Sequence, residues 1–243
     1  MKHLKTILGV MVLALACACT KNHEEGNGQV SFSLTSNLEI ADQTKSSVSD
    51  YTTLPAAGDF TITIMDAASA AVWTGKISEW DPTTLLPVGS YVVTATYGSI
   101  EAEGFDKPFF TGTSEFAVQG AQTTEVKITV SLGNTIVLVK CTDNFKNYYQ
   151  DYTFNLVRDG QTLATFAKGE TKAAFIDGYK VSLQGTVTSA TKTQSFSKDY
   201  SNLNEATAYT VWFDASNIGG ASITVTFNNE VVEVPLGDIE LND

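Results

Sequence analysis

Cys17 and Cys19 carry the most specific chemistry in this chain, because they close an apolar run, Ile7 to Ala16, that follows Lys2 and Lys5. A positive start, an apolar run of about ten residues and small residues around a cysteine form the layout of a bacterial lipoprotein signal, whose cysteine thiol accepts a lipid. The run is too short to span a bilayer, which takes roughly 20 residues. Residues 1–18 are therefore expected to be a removable signal peptide. Two cuts compete, one after Ala14-Leu15-Ala16 that leaves Cys17 first and one after Ala16-Cys17-Ala18 that leaves Cys19 first.

Other reactive groups are few. The imidazoles are His3 and His23, and the mature chain keeps His23 alone, which excludes Ser-His-Asp and Cys-His catalysis and any zinc site needing two imidazoles. Asp81, Glu101, Glu103 and Asp106 fall in one loop-rich stretch and could supply the two carboxylates of a glycosidase. Acidic loop residues more often serve as solvated surface, so no catalytic residue is expected. No Asp-x-Asp-x-Asp-Gly loop for calcium is present, and Asp159-Gly160 and Asp177-Gly178 read as turns, so neither a metal nor a cofactor is expected. Cys141 has no intramolecular cysteine partner once Cys17 is lost and Cys19 acylated. It lies in the alternating segment Ile136 to Cys141 and reads as a small core residue.

Three tryptophans remain as candidates for stacking on sugar rings: Trp73 beside a glycine turn, Trp80 before Asp81-Pro82, and Trp212, out of phase with Tyr209, Val211 and Phe213. Packing between domains or under a loop is the competing reading for each. Phe105, Phe109 and Phe110 cluster around Pro108, as core filling under a long loop or as an exposed ridge for a partner. The net charge of −12, more negative still once Lys2 and Lys5 are removed, argues against nucleic acid and anionic lipid headgroups as partners.

The elements that must hold these residues are strands. Val30, Phe32 and Leu34 alternate with polar neighbours, as do Phe60, Ile62 and Ile64, and Tyr91, Val93 and Ala95. Period-2 patterns rich in β-branched and aromatic residues predict half-buried antiparallel strands. The single helix expected is short, Asn144 to Gln150. The chain also echoes itself: Asp59 to Ile64 matches Asp151 to Leu156, Leu86 to Val92 matches Phe175 to Val181, and Glu125 to Val130 matches Ala208 to Phe213. Two tandem sandwiches explain this repetition, with the break at Leu132-Gly133-Asn134 and so short a linker that a rigid rod is expected. The expected organisation is a signal peptide at 1–18, an acidic tether at 19–28, and β-sandwiches at 29–132 and 133–243.

Leu86-Pro87-Val88-Gly89-Ser90-Tyr91-Val92 resembles the Leu-Pro-x-Gly-x-Tyr turn and strand of transthyretin-like sandwiches. Phe105-Asp106-Lys107-Pro108-Phe109-Phe110-Thr111-Gly112, continuing through Phe116 and Val118, is similar to the Phe-x-x-Pro-Tyr-Tyr-x-Gly signature of the family known as domain of unknown function 4493, with a Phe pair where Tyr is common. The tether Cys19-Thr20-Lys21-Asn22-His23-Glu24-Glu25 resembles the Cys-Ser-Lys-Asp-Asp-Glu tether of Bacteroidota surface lipoproteins, which favours Cys19 over Cys17 as the lipid acceptor. These resemblances imply an all-β chain of two antiparallel sandwiches, transthyretin-like or fimbrillin-like, without catalytic residues. They imply a lipid-anchored outer-membrane protein exposed at the cell surface, working as an adhesin or fimbria-related component; the alternative is a glycan-binding accessory lipoprotein of a polysaccharide-uptake system. Its expected partners are membrane lipid, through the acylated cysteine, and a protein or glycan at the surface. Fimbrillin-type pilins are cut after an Arg behind the first strand. The matching loop here, Ala41 to Tyr51, offers only Lys45, so the chain is expected to stay uncut.

Overall fold

The computed structural model describes residues 26–40, 46–216, 220–227 and 230–235, with side chains to Ala215. Cys17, Cys19 and Lys45 lie outside the described residues.

The first half holds β1 (Asn27–Asn37), β2 (Thr61–Asp66), β3 (Ala71–Lys76), β4 (Leu85–Pro87), β5 (Gly89–Tyr97), β6 (Gly104–Phe105), β7 (Phe110–Val118) and β8 (Thr123–Leu132). All but β6 form one seven-stranded sheet in the order β3-β2-β5-β7-β8-β1-β4. The alternation works as the pleat requires: Ile62 and Ile64, Val93 and Ala95, and Val126, Ile128 and Val130 are buried in one cluster with Val30. The ladder between β7 and β8 is limited to Phe110 with Leu132 and Thr111 with Ser131. There the sheet turns, and Val126, Ile128 and Val130 of β8 share a core with Ile62 and Ile64 of β2.

The second half holds β9 (Thr135–Cys141), α1 (Asp143–Tyr148), β10 (Asp151–Arg158), β11 (Gln161–Ala167), β12 (Ala174–Ile176), β13 (Lys180–Thr188), β14 (Thr193–Ser201), β15 (Ala208–Ser216), β16 (Gly220–Phe227) and β17 (Glu230–Pro235). A four-stranded sheet, β11-β10-β13-β14, faces a six-stranded one, β17-β16-β15-β9-β12-β6. Between them Phe154 stacks on Phe213 at 3.9 Å, and Phe145 and Tyr152 fill the end of the core near α1. The short helix starts at Thr142, whose hydroxyl accepts the Phe145 N–H, and Phe145 is its buried anchor.

The internal echo is a topological one. In each half the first strand (β1, β9) runs parallel to the last of the repeat (β8, β15), a hairpin (β2 and β3, β10 and β11) follows, and a three-residue strand (β4, β12) pairs back on the first. The two parallel ladders differ from the antiparallel pairing that alternation suggests, because alternation reports which face is buried and says nothing of strand direction.

The halves are stapled by the connection between β5 and β7. Its strand β6 leaves the first half and pairs with β12. The three phenylalanines separate: Phe105 meets Phe166 edge-on at 5.1 Å in the second core, Phe110 is buried in the first, and Phe109 lies against Gly133 and donates its backbone N–H to Asn134 Oδ1.

Candidate functional site

The four loop carboxylates take separate partners. Glu103 is nearly buried and paired with Arg158, and it also accepts the Asp177 N–H at 2.6 Å. Asp106 pairs with Lys172 at 2.6 Å, an exposed contact that holds the Lys172 ammonium above its usual pKa through the Asp106 hydrogen bond. Asp81 caps its own turn, and the Thr83 hydroxyl followed by the Thr83 N–H lowers its pKa. Glu101 is exposed. Two of the four thus hold the halves together, and no cluster of three metal-ligating groups occurs among the described residues.

The three tryptophans do not form one surface. Trp80 is 8% exposed, its indole N–H donates to Val30 O at 2.9 Å, and its ring meets Phe32 and Trp73 edge-on. That burial takes Trp80 out of reach of a stacking sugar. Trp73, half-buried, lies along Gly75, where a Cβ would stand 2.9 Å from the ring. Trp212 alone is exposed, at 37%, with Lys140 Nζ 5.4 Å from the ring centroid.

Trp212 marks the rim of a groove of about 410 Å³. The consecutive residues Leu138, Val139, Lys140 and Cys141 form one wall, and Phe166, Ala167 and Gly169 to Thr171 the other. Tyr152 and Phe154 lie at the bottom. Alternate residues of a strand point to opposite faces, so a groove lined by four in a row runs along the backbone edge of β9. Lys140 and Lys146 stand on the rim, and Lys168 reaches over the Tyr152 ring. Carboxylates nearby are Glu170, whose Oε1 accepts two backbone N–H groups, Asp143, paired with Lys146 at 3.5 Å, Asp151, whose Oδ1 accepts the Tyr152 N–H, and Asp214, whose Oδ1 accepts the Thr142 hydroxyl. Lys168 Nζ also donates to Gln150 O at 2.6 Å, which leaves Lys140, over the Trp212 ring, as the cation of the outer face.

Cys141 lies at the end of the groove. Burial pushes its thiol pKa up to about 11, although a Tyr152 hydrogen bond and Lys146 both lower it. A thiol so protonated is an inert wall rather than a nucleophile. Sequence reasoning marked Trp212 but missed the groove, whose only local signal is the absence of an aromatic between Ala167 and Ala174.

The family model described as Domain of unknown function (DUF4493) matches residues 26–243, nearly the whole chain. The chain belongs to this family. No curated protein matches the sequence. Among solved structures, this DUF4493 chain is similar to a fimbrial assembly protein of Parabacteroides distasonis, at 8% identity and a TM-score of 0.50 over 86% of this chain and 99% of that one. It is also similar to the fimbrial anchor protein Mfa2 of Porphyromonas gingivalis (10% identity, TM-score 0.44, 86% and 99%) and to a candidate cell adhesion protein of Bacteroides ovatus (12%, 0.47, 88% and 99%). At such identities the likeness is one of fold. Among the described residues of the DUF4493 chain, no helix is long and apolar enough to cross a membrane.

Proposed function

We propose that this protein is a non-enzymatic lipoprotein of the outer membrane, held by acylated Cys19 and displayed at the cell surface, where it works in adhesion or as a fimbria-related component. The observation that carries this reading is how the loop chemistry is used. Glu103 and Asp106, two of the four carboxylates available for catalysis, join the two halves, and Asp81 is taken up in capping its own turn. The names of the fold's relatives, a fimbrial assembly protein among them, point the same way. The lipid signal and the acidic tether support the address.

Within that reading the chain is an anchor, tip or stand-alone adhesin rather than a repeating shaft subunit. β1 supports this, because it is laddered on both sides, over nine residue pairs from Gln29↔Thr123 to Asn37↔Ser131 on β8, and on β4. Removing it would open the first core at Val30. A glycan-binding role rests on fewer features, since one exposed ring at Trp212 replaces the cluster of three that stacking would use.

Metabolic palmitate labelling and protease shaving of intact cells test the address. Acylated material of full mature mass, accessible from outside, is expected. Ladder-forming polymers of a species beginning at Ser46 would overturn the anchor reading, and release of sugar from polysaccharides would overturn the non-enzymatic one.

A further inference from the structure

The edge of β9 can be followed residue by residue. Ile136 N–H donates to Thr207 O and Thr142 N–H to Phe213 O, both toward β15. In a strand the N–H and C=O of one residue point to the same side, and successive residues alternate. Even-numbered residues of β9 therefore face β15, and Val137, Val139 and Cys141 face the other way. β12 pairs with Thr135, Ile136 and Val137 and then stops. Extended in the same register it would set Lys172 opposite Val139, but Lys172 turns away to Asp106. The outward N–H and C=O of Val139 and of Cys141 have no backbone partner among the described residues.

The first half shows what such an edge takes. There β4 pairs with β1 at Asn27 to Gln29 and also stops short. The next outward carbonyl, Val30 O, is the one that accepts the Trp80 indole N–H. Trp80 comes from the connection between β3 and β4. Its counterpart between β11 and β12, Lys168-Gly169-Glu170-Thr171-Lys172-Ala173, carries no aromatic. The same place in the repeat is thus filled from within in one half and is an open groove of about 410 Å³ in the other.

We propose that the outer edge of β9 from Leu138 to Cys141 is a docking site for an extended acidic segment of a protein partner, which adds to the six-stranded sheet as a short strand. This deepens the reading of the protein as a surface binding component and rests on it. Unpaired strand edges are templates for such addition. Alternation in the added strand would lay every second side chain, aromatic or aliphatic, on Tyr152, Phe154 and Phe166. The intervening ones would face Lys140 and Trp212. Lys140, whose ammonium stands over the Trp212 ring on that face, selects carboxylates for those places, and Lys146 at the rim adds to it.

The probe is a capped peptide, Glu-Val-Glu-Trp-Glu-Val-Glu, added to the full mature chain, with amide hydrogen exchange read at single residues. In the free protein Val139 and Cys141 should exchange much faster than Leu138 and Lys140. Peptide at ten times its Kd should slow exchange at Val139 and Cys141 about tenfold. Methylating alternate peptide amides, or replacing Glu by Lys, should abolish the effect. The exposed charge reversals Lys140→Glu and Lys146→Glu together should weaken binding about tenfold, and Thr171→Trp, which fills the groove as Trp80 does in the first half, should block it. Equal protection of Val139 and Leu138 in the free chain would overturn the proposal, as would no slowing at about 1 mM peptide. Protection that rises with protein concentration alone would mean a second copy is the occupant, and a polysaccharide that perturbs Trp212 without protecting Val139 would mean a glycan site; either outcome refutes it. Acylation and surface display are read separately and do not change with any of these results.

Discussion

Replacing Arg158 by methionine should loosen the joint between the halves more than any surface change nearby. Arg158 Nε donates to Lys180 O at 2.7 Å, while its two terminal nitrogens reach Glu103 Oε2 and Asp177 O. Its side chain is 19% exposed and that of Glu103 8%. Methionine keeps an unbranched apolar stem and removes the guanidinium, so Glu103 is left as a nearly buried carboxylate with the Asp177 N–H as its remaining partner. Breaking one side of a buried pair costs about 3–5 kcal/mol. The residual exposure of Arg158 puts the expectation at the low end, about 3 kcal/mol. For a chain of this size that is a fall in Tm of roughly 6 to 12 °C. The double variant Arg158→Met with Glu103→Gln removes both charges and should recover about 2 kcal/mol of the loss, since a neutral amide can still accept the Asp177 N–H. Urea unfolding, followed by probes in each half because a two-core chain need not unfold in one step, measures both variants. Limited proteolysis at Lys107 reports whether the connection lifts. A single variant within about 0.5 kcal/mol of wild type, the range of an ordinary surface substitution, or a double variant no better than the single one, would refute the assignment of this pair as the staple.

Cys19→Ala should abolish palmitate labelling, and continued labelling at Cys17 would reverse the choice of acceptor. Cys141 in the native chain should react with a disulfide reagent at pH 8 about a hundredfold more slowly than an unperturbed thiol, because burial raises its pKa from 9.0 to about 11; denaturant should restore the ordinary rate, and fast native reaction would contradict the burial. Trp80→Phe keeps an aromatic ring, smaller than the indole, but loses the N–H to the buried Val30 O, so it should cost about 1–3 kcal/mol in urea unfolding. The same substitution at Trp212, whose ring is exposed, should stay within about 0.5 kcal/mol.

What the sequence determined by itself is local and periodic. A pleat sends alternate side chains to opposite faces, so Ile62, Ile64, Val93 and Ile128 declare their burial from spacing alone. In the same way Trp212 declares its exposure against Val211 and Phe213. The short helix expected from Asn144 is found at Asp143–Tyr148, and the echo of Leu86 to Val92 in Phe175 to Val181 is the echo of two equivalent strands, each folded back on the first strand of its half. The tertiary structure decided everything that depends on which backbone edge meets which. No side-chain period encodes that β1 and β8 run parallel, that β6 crosses to β12, or that Glu103 finds Arg158 across 55 residues. The groove is the clearest case. Its lysines and tryptophan are plain in the sequence, but the N–H and C=O groups of Val139 and Cys141 are open among the described residues because β12 ends at the level of Val137 and no indole from the next connection closes the gap. Backbone hydrogen-bonding groups are the same at every residue, so their being paired or open is a property of the assembled sheet and not of the residues that carry them.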